Sequence, residues 1–492
     1  MPEKTATRSE TNRWLVLVIV CIAQFMVILD ATIVNVALPS IQRGLHFSAA
    51  DLQWVINSYT LMFGGFLLLG GRAADLFGRR KLFILGVIVF SGASLLNALA
   101  TSSDMLIVGR GLQGLGGAMV SPAALSIITT TFDEGPDRTK ALGVWSAIAA
   151  GGAAVGLLLG GILTDLLSWE WIFFVNVPVG VAALVLALRY VPESLAEKRP
   201  DTIDAAGALS VTAGLVILVY AIVKAQEFGW VSARTLGMGA VAAALLAAFV
   251  WIERRSKAPL IRLDIFRNRS LTGANAAMLL VVSGMFAMFF FATLYLQEVL
   301  GYSPLKAGLA FLPVTAGIMI GAGMAQQGIR VLGPRLQSFL GIALAAGGLF
   351  LLTGLPSNGS YVSDLLPGLM FIAVGMGMTF VPITLMATTG VSRSDAGLAS
   401  GLLNTSQQVG GALGLAILST VAANHASSVL AGLGHVPTAT DRTAALVSGY
   451  TTGFLVGGVL LAAGALLLLA IVRRRDVARI VAGEEQAALA PA

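Results

Sequence analysis

Asp30 is the residue in this sequence best suited to do chemistry, because it lies inside a long apolar run between Trp14 and Pro39. An acidic side chain at the centre of a bilayer costs about 3 kcal/mol, so an acid there marks a candidate functional site. A carboxylate binds and releases protons, which would let a polar cavity couple proton movement to another process. The structural alternative is an acid whose only role is to satisfy polar groups of neighbouring helices.

Arg110 is the basic residue that the sequence places inside an apolar segment, and we expect it to be the partner of Asp30. Asp30 lies nine residues before Pro39, where the first segment is predicted to end at the outer surface. Arg110 lies six residues after Asp104, where its own segment enters from the same side. At about 1.5 Å per residue, the depths are about 13 Å and about 9 Å. Since buried charges need partners, we expect a direct or water-mediated contact.

Amides and aromatic rings within the apolar segments are candidates to line a cavity. The amides could instead make hydrogen bonds between helices, worth about 0.6 kcal/mol each on average. The rings could instead face lipid or the protein core. These candidate cavity residues are Asn35, Gln113, Asn404, Gln407, Gln408, Phe286 and Phe290.

The elements that would position these residues are membrane-spanning helices. Of 492 residues, 57% are hydrophobic and 11% are charged, whereas about 25% are charged in soluble domains. A spanning helix needs about 20 mostly apolar residues, and a β-barrel would show shorter, alternating segments. The sequence therefore predicts an all-α polytopic membrane protein with fourteen segments, near 14–39, 50–71, 81–100, 104–131, 138–166, 171–190, 205–224, 235–254, 271–298, 305–327, 336–355, 365–389, 396–423 and 446–472.

The distribution of Lys and Arg predicts the orientation of these segments. With the N-terminus in the cytoplasm, most of the 31 basic residues fall in cytoplasmic loops and tails. The positive-inside rule therefore predicts that both termini are cytoplasmic. The net charge of +6 then belongs to the inner membrane surface and implies no nucleic-acid partner. The basic residues predicted to be external are Arg43, Lys224, Arg234, Lys306 and Arg442.

Charged linkers divide the chain into two six-helix blocks and an inserted helix pair. The linkers after the sixth and eighth segments are Val191 to Asp204 and Arg254 to Arg269. Repeated six-helix blocks are a common way to build a transporter. We expect a cytoplasmic N-terminus at 1–13, a first bundle at 14–190, linkers and inserted helices at 191–270, a second bundle at 271–472 and a cytoplasmic tail at 473–492.

Catalytic and cofactor signals are weak in this sequence. The three histidines fall near external loops without acids or cysteines at metal-ligand spacing, so we expect no metal and no cofactor. A Gly-rich loop ending in Lys-Ser or Lys-Thr is missing, which argues against ATP-driven chemistry in this chain. We therefore expect a protein that is not an enzyme. The first apolar run carries Asp30 and lacks a small-residue cleavage site, so it is predicted to remain as a helix.

Two glycine-rich motifs accompany the charged pair. The loop after the second segment reads GRAADLFGRRK from Gly71 to Lys81, and a weaker echo, GIRVLGPR, starts at Gly328. The fifth segment carries glycines at four-residue steps, which let helix backbones approach closely. These glycines are Gly143, Gly152, Gly156, Gly160 and Gly161.

With these motifs the chain resembles the major facilitator superfamily, in its fourteen-helix drug:proton antiporter branch, over roughly residues 12 to 475. Further matching motifs are LDATIVNVALP from Leu29, the Trp169 to Pro178 hairpin, the Tyr295 to Gly308 turn and Gly397 to Gly414. Leu157 stands where the branch has a proline, Ala73 where leucine is usual and Glu170 where arginine is common.

The resemblance implies a fold of two six-helix bundles with two extra helices between them, and a proton-driven exporter of small lipophilic or monocationic compounds. It implies a conformational latch formed by Gly71, Asp75, Gly78, Arg79 and Arg80, and packing roles for the fifth-segment glycines. The implied partners are an amphipathic drug, protons and the lipid bilayer of the cytoplasmic membrane, and we expect a monomer. The alternatives are export of an endogenous antibiotic, lipid or siderophore, or a membrane receptor or scaffold that transports nothing.

Overall fold

The computed structural model describes residues 12–48, 51–132, 135–194, 204–256, 259–388, 391, 396–474 and 476–477. Within these ranges the regular elements are helices. We number the fourteen long helices α1 to α14 in chain order.

The first bundle contains α1 to α6, and its helices follow one another through short loops. Gly78 separates α2 from α3 with φ 106° and ψ 134°, a conformation that favours glycine because it has no Cβ. The helices are α1 Arg13–Leu45, α2 Trp54–Phe77, α3 Arg79–Ala98, α4 Ser103–Thr131, α5 Pro136–Leu166, and α6, formed by Trp171–Phe174 and Asn176–Tyr190.

The inserted pair consists of α7 Ala205–Phe228 and α8 Ala233–Arg255. The side chain of Asp204 caps α7 by accepting from the Gly207 N–H, and Ser232 caps α8 in the same way. These caps satisfy amides that a helix start leaves unpaired. Within the pair, α7 packs against α8 and also against α2 and α13, one helix from each bundle.

The second bundle contains α9 to α14. A kink at Gly333, with φ 76° and ψ 159°, divides the helix Leu312–Leu351 into the end of α10 and the start of α11. Single π-helical turns, Tyr295–Val299 and Tyr361–Leu365, end α9 and begin α12. The remaining bounds are α9 Arg269–Leu294, the first part of α10 Pro304–Ala310, α12 Leu366–Thr388, α13 Ala396–Ala431 and α14 Ala439–Ile471.

The helix lengths confirm the predicted all-α membrane architecture. Among the described residues, 12 continuous helical stretches are long and apolar enough to cross a membrane. One of them, Pro304–Gly354, has 51 residues and contains both α10 and α11, and α5 contributes the apolar stretch Gly151–Leu166. The chain is therefore a multi-pass protein with fourteen long helices.

The prediction that the first helix ends near Pro39 is wrong. Pro39 lies inside α1, which continues to Leu45. Proline is tolerated within membrane helices because neighbouring groups satisfy the backbone carbonyl that it frees. Pro39 has no N–H, so the carbonyl that loses its helical donor is that of Asn35, four residues earlier. The Arg43 Nε–H bond, at 3.2 Å, goes to the carbonyl of Pro39 itself.

The two bundles are packed together near one end of the molecule, which we call the outer end because it carries the α1–α2 and α9–α10 loops. The largest apolar core includes Val36 of α1, Leu157 of α5 and Phe290 of α9. Gln297 donates from Nε2 to the carbonyl of Val36 at 2.7 Å, which joins the second bundle to the first. A second core, around Phe83 and Phe90, belongs to the first bundle alone. The other end, which carries the α2–α3 loop, we call the inner end.

Candidate functional site

Asp30 and Arg110 form an ion pair inside the first bundle. Arg110 Nη1 lies 2.5 Å from Asp30 Oδ2, and the side chains are 1% and 0% exposed. The contact expected from their similar depths is therefore present, and it is direct. Because both charges are removed from water, each depends on the other for compensation.

The other oxygen of Asp30 accepts from two amides. Gln113 donates from Nε2 to Asp30 Oδ1 at 2.6 Å, and Asn176 donates from Nδ2 to the same atom at 3.0 Å. Asp30 on α1 is thus tied to α4 through Arg110 and Gln113, and to α6 through Asn176. A change in the charge of one carboxyl group would alter contacts among three helices.

Arg110 is held by several groups besides Asp30. Its Nε donates to the carbonyl of Val55 on α2 at 2.9 Å, and its Nη1 also donates to Gln113 Oε1 at 2.8 Å. The guanidinium carbon lies 4.4 Å from the centre of the Tyr59 ring, within the range of a cation–π interaction. The guanidinium therefore extends the network to α2.

The network continues into α3 through two polar side chains. Gln113 donates from Nε2 to Ser94 Oγ at 2.7 Å, and Asn97 donates from Nδ2 to Gln113 Oε1 at 2.8 Å. We call Asp30, Arg110, Gln113, Asn176, Ser94, Asn97 and Tyr59 the buried polar network. Gly109 gives Asn97 room, because a Cβ at Gly109 would collide with Asn97 Oδ1.

Sequence reasoning did not identify Ser94, Asn97 or Asn176 as site residues. The sequence feature that could have identified them is a polar side chain within an otherwise apolar helix. The structure shows that all three are buried. Sequence reasoning assigned Gln113 to a cavity wall, and this is wrong for the present conformation. Gln113 is 0% exposed and lies at the centre of the network.

The remaining amide candidates lie elsewhere. Asn35 is partly exposed, and its Nδ2 donates to the carbonyl of Thr32 in its own helix at 3.1 Å. Asn404 is exposed on α13, where it donates to the Ser400 carbonyl at 3.3 Å. Gln407 and Gln408 are half-buried on the same helix. Gln408 reaches the first bundle, because a Cβ added at Gly64 of α2 would lie 2.5 Å from the Gln408 Cβ. The hydrogen bonds of Asp30 come from Arg110, Gln113 and Asn176, and not from these four amides.

The aromatic candidates belong mainly to the second bundle's core. Phe290 is 2% exposed and makes an edge contact with Phe291, with ring centres 5.5 Å apart. It also lines a cavity of about 260 Å³ near Glu298 and Tyr450. Phe286 is half-buried and covers Gly411, whose added Cβ would lie 3.0 Å from the ring. In this conformation the two rings contribute more to packing than to an open cavity.

The α2–α3 loop is held by the segment that follows α6. Asp75 and Arg79 lie 3.4 Å apart within this loop. The backbone N–H of Arg80 donates to Glu193 Oε1 at 3.2 Å, and the Arg80 guanidinium donates to the carbonyl of Leu188. Gly78 permits this contact, because an added Cβ would lie 2.6 Å from Glu193 Oε1. No motif in the sequence indicates that Glu193 is the partner of this loop.

Gly71 has a looser environment than the loop residues. A Cβ at Gly71 would lie 3.8 Å from Pro122 on α4, an ordinary van der Waals distance. Close packing in this region depends instead on Gly70, where a Cβ would collide with the carbonyl of Ala118. The role predicted for Gly71 in the latch stays a prediction.

The glycines of α5 divide into two interfaces. Gly152, Gly156 and Gly160 face α1, and a Cβ at Gly160 would lie 2.6 Å from the carbonyl of Ile33. Gly161 faces the second bundle, where the Pro304 carbonyl would be 2.8 Å from its Cβ. Leu157 is 4% exposed, and its carbonyl lies against Gly308 of α10. Small residues therefore bring α5 and α10 together at the outer end.

Gly143 does not belong to either interface. It is exposed, and an added Cβ would meet nothing within 4 Å. The prediction that Gly143 packs against another helix is wrong for this conformation, because the inner part of α5 has no close neighbour at that position.

The chain is similar to a known protein family and to several known proteins. The family model of the Major Facilitator Superfamily matches residues 20–415. The puromycin resistance protein pur8 of Streptomyces alboniger is 42% identical over 460 residues, covering 92% of this chain and 90% of the relative. The cephamycin export protein CmcT of Amycolatopsis lactamdurans is 41% identical, covering 85% and 87%. The multidrug resistance protein Stp of Mycobacterium tuberculosis is 37% identical, covering 82% and 75%.

Solved structures show the same fold at low sequence identity. A bacterial homologue of the human lysosomal transporter Spinster, in an inward-facing and unoccupied conformation, has a TM-score of 0.67 and 17% identity, covering 96% of this chain and 98% of that one. The POT family transporter PepTSo has a TM-score of 0.65 and 16% identity, covering 92% of this chain and 98% of that one.

Proposed function

This chain belongs to the Major Facilitator Superfamily, and we propose that it exports small lipophilic or monocationic compounds in exchange for protons. It is a multi-pass membrane transporter of the efflux type, not an enzyme, as its relatives are export and resistance proteins. The observation that carries the proton-coupling proposal is the completely buried ion pair of Asp30 and Arg110.

Protonation of Asp30 is the proposed driving step. A proton on the carboxyl group removes its charge and leaves the Arg110 guanidinium without a counter-charge. Arginine stays protonated, so it cannot neutralise itself in response. The guanidinium must then find water or another acceptor, which shifts α1, α4 and α6 relative to one another. The buried polar network thus converts a bound proton into helix movement.

Alternating access is supported by where the bundles touch. Gln297 bonds to Val36, and Gly161 lies against Pro304, so the outer end is closed in this conformation. The positive-inside distribution of Lys and Arg supports cytoplasmic termini. With that orientation, we propose that this conformation is an inward-facing state of a cytoplasmic-membrane transporter that works as a monomer.

The cargo is proposed to bind between the bundles and not on Asp30 itself in this state. Asp30 is 0% exposed, so a compound in an inward-facing cavity has no access to its carboxylate. Asn35, Asn404, Gln407 and Gln408 are the amides offered to that space. The proton and the cargo then compete indirectly. Each binds preferentially to a different conformation of the transporter, so binding of one lowers the affinity for the other.

The remaining sequence motifs keep their proposed roles. Gly71, Asp75, Gly78, Arg79 and Arg80 form the latch at the inner end, supported by the contacts of Glu193 with this loop. The division into a first bundle at 14–190, inserted helices within 191–270 and a second bundle at 271–472 is supported by the core around Phe83 and Phe90, which the first bundle buries alone.

A second candidate function is export of an antibiotic made by the producing organism. The names of two relatives favour it, since one is a puromycin resistance protein and another a cephamycin export protein. Lipid or siderophore export uses the same fold. A receptor or scaffold that transports nothing is disfavoured, because such a protein gains nothing from burying two charges in a membrane.

Transport in proteoliposomes tests the coupling. We expect an imposed pH gradient to drive a fluorescent monocation uphill in the wild type, and Asp30→Asn to lower the initial rate by about tenfold or more. Asp51→Asn, which changes an acid in the α1–α2 loop, is the matched control and should keep the wild-type rate. Uphill transport by Asp30→Asn at the normal rate would place the proton site elsewhere.

A further inference from the structure

Two buried acids at the inserted helix pair, Asp204 and Glu253, take no part in the proposed transport mechanism. Asp204 precedes α7 and is 7% exposed, and Glu253 lies in the last turn of α8 and is 4% exposed. Each uses one oxygen in the protein. Asp204 Oδ1 accepts from the Gly207 N–H at 2.7 Å, and Glu253 Oε2 accepts from the Ile261 N–H at 3.1 Å.

The other two carboxyl oxygens are buried without a hydrogen-bond partner. These atoms are Asp204 Oδ2 and Glu253 Oε1. The two side chains are neighbours, because Asp204 Oδ1 and Glu253 Oε1 both lie 3.0 Å from the point where a Cβ of Gly207 would stand. An unpaired buried oxygen costs free energy, and two unpaired oxygens of adjacent carboxylates cost more.

Among the described residues, the charged side chain that acts electrostatically on Glu253 is Asp204, which has the same sign. Arg254 and Arg255, the basic residues that follow Glu253 in the chain, have exposed side chains. Arg255 covers the ring of Trp251, at 4.4 Å from the ring centre. Two carboxyl groups that share a buried site cannot both stay ionised, and the usual solution is to share one proton.

We infer that Asp204 and Glu253 form a second proton-binding site, in which one proton is held between the two carboxyl groups at the inner end of the inserted helix pair. The site is separate from Asp30, so the inference does not depend on the proposed coupling mechanism. The bound proton supplies the donor that the two unpartnered oxygens lack, and it removes one of two like charges.

The proton between Asp204 and Glu253 would affect how a neighbouring segment is held. Glu253 holds the backbone of Ile261, and Leu260 and Ile261 are 3% and 9% exposed. These two residues pack in a small core with Leu68 of α2 and Leu402 of α13, which belong to different bundles. Loss of the proton would charge both acids and weaken the anchor of a segment that touches both bundles.

Amide substitutions test the proton directly, because an amide supplies a donor in place of the bound proton. The variants are Glu253→Gln and Asp204→Asn, and asparagine retains the ability to cap α7. Thermal unfolding of the purified protein in detergent would be followed from about pH 6 to about pH 9, where a shared proton is lost. We expect the wild type to lose about 3 °C or more of Tm across this range, and each amide variant to lose less.

A control variant and an infrared measurement that does not depend on stability complete the test. Glu227→Gln changes an exposed acid at the end of α7 and should keep the wild-type pH dependence. Infrared spectroscopy should show the C=O stretch of a protonated carboxyl group that Glu253→Gln or Asp204→Asn removes and Asp30→Asn leaves in place. The inference is overturned if neither amide variant removes such a band, if Glu253→Gln keeps the full pH dependence, or if added Na⁺ replaces the effect of acid.

Discussion

Asp30 and Arg110 respond differently to loss of their partner. A carboxyl group left alone in a buried site takes up a proton and becomes neutral, whereas a guanidinium group stays charged. The sequence suggests that Asp30→Asn folds normally, since an amide costs less to bury than a carboxylate. The structure reverses this expectation, because the amide would leave a buried Arg110 without its counter-charge.

Stability measurements should reveal this asymmetry. We expect Asp30→Asn to lower the free energy of unfolding by about 3 kcal/mol, the usual cost of leaving one buried charge unpaired. The Val55 carbonyl and the Tyr59 ring still compensate part of that charge, so the protein should remain folded. Arg110→Ala should lower the free energy of unfolding less through loss of the counter-charge, because Asp30 can accept a proton and become neutral.

The comparison is best made by thermal unfolding of both variants beside the wild type in detergent. Arg110→Ala should lose coupling while it is produced at nearly wild-type level. Arg110→Met fills more of the space vacated by the side chain, so it separates lost packing from lost charge. Equal destabilisation by Asp30→Asn and Arg110→Met would contradict the proposed asymmetry.

At the scale of elements, α5 is the helix whose two ends have opposite surroundings. Its outer part lies against α1 and α10 through Gly160 and Gly161, whereas Gly143 near the inner end has open space around it. A helix that moves between two states needs small residues wherever it packs in either state. We propose that Gly143 packs when the inner end closes.

Leucine substitutions separate the two ends of α5. We expect Gly161→Leu to disfavour closure of the outer end, because the Pro304 carbonyl lies 2.8 Å from the Cβ position. Gly143→Leu should keep the outer end closed, since its side chain meets open space in this conformation. Gly92→Leu on α3, where a Cβ also meets nothing within 4 Å, is the control.

Thiol labelling measures which end is open. Asn35→Cys would report access from the outer side, in a protein whose buried Cys21 is changed to Ser. Labelling by a membrane-impermeant reagent should rise at least about threefold in Gly161→Leu and stay unchanged in Gly92→Leu. Unchanged labelling in Gly161→Leu would show that α5 does not control the outer end.

At the scale of the whole molecule, the positions of the buried acids affect which cargo is transported. The sequence suggests one interior carboxylate, Asp30, but the structure also buries Asp204 and Glu253. Those two lie at the inner end of the inserted pair and are enclosed by protein, so they add no acid to the space between the bundles. The amides that we propose to line that space include Asn35 and Asn404.

A matched pair of cargoes tests the consequence for charge. We expect a monovalent lipophilic cation to be exported at least about tenfold faster than a divalent cation of similar size. A dication would need a second carboxylate to offset its greater loss of hydration. Efflux of both compounds would be measured by fluorescence in cells with and without the protein, with Asp30→Asn as the inactive control. Equal rates would contradict this assignment of cargo.

The class of fold follows from the sequence alone, because the thickness of a bilayer sets the length of apolar run that a spanning helix needs. The sequence also shows that Asp30 and Arg110 are exceptional, because the cost of a charge in a membrane is a property of the residue and its depth. The glycines of α5 were recognisable from their four-residue spacing, which places them along one helix face. These inferences needed no knowledge of how the helices are arranged.

The tertiary structure decided which polar groups meet. Gln113 joins Asp30 and not a cavity, while Asn97 and Asn176 come from helices that the sequence could not place beside it. Helix neighbours depend on rotation about each axis and on packing between helices, which apolar composition does not encode. The pairing of Asp204 with Glu253 is of the same kind, since two residues far apart in sequence meet only because α7 and α8 are antiparallel neighbours.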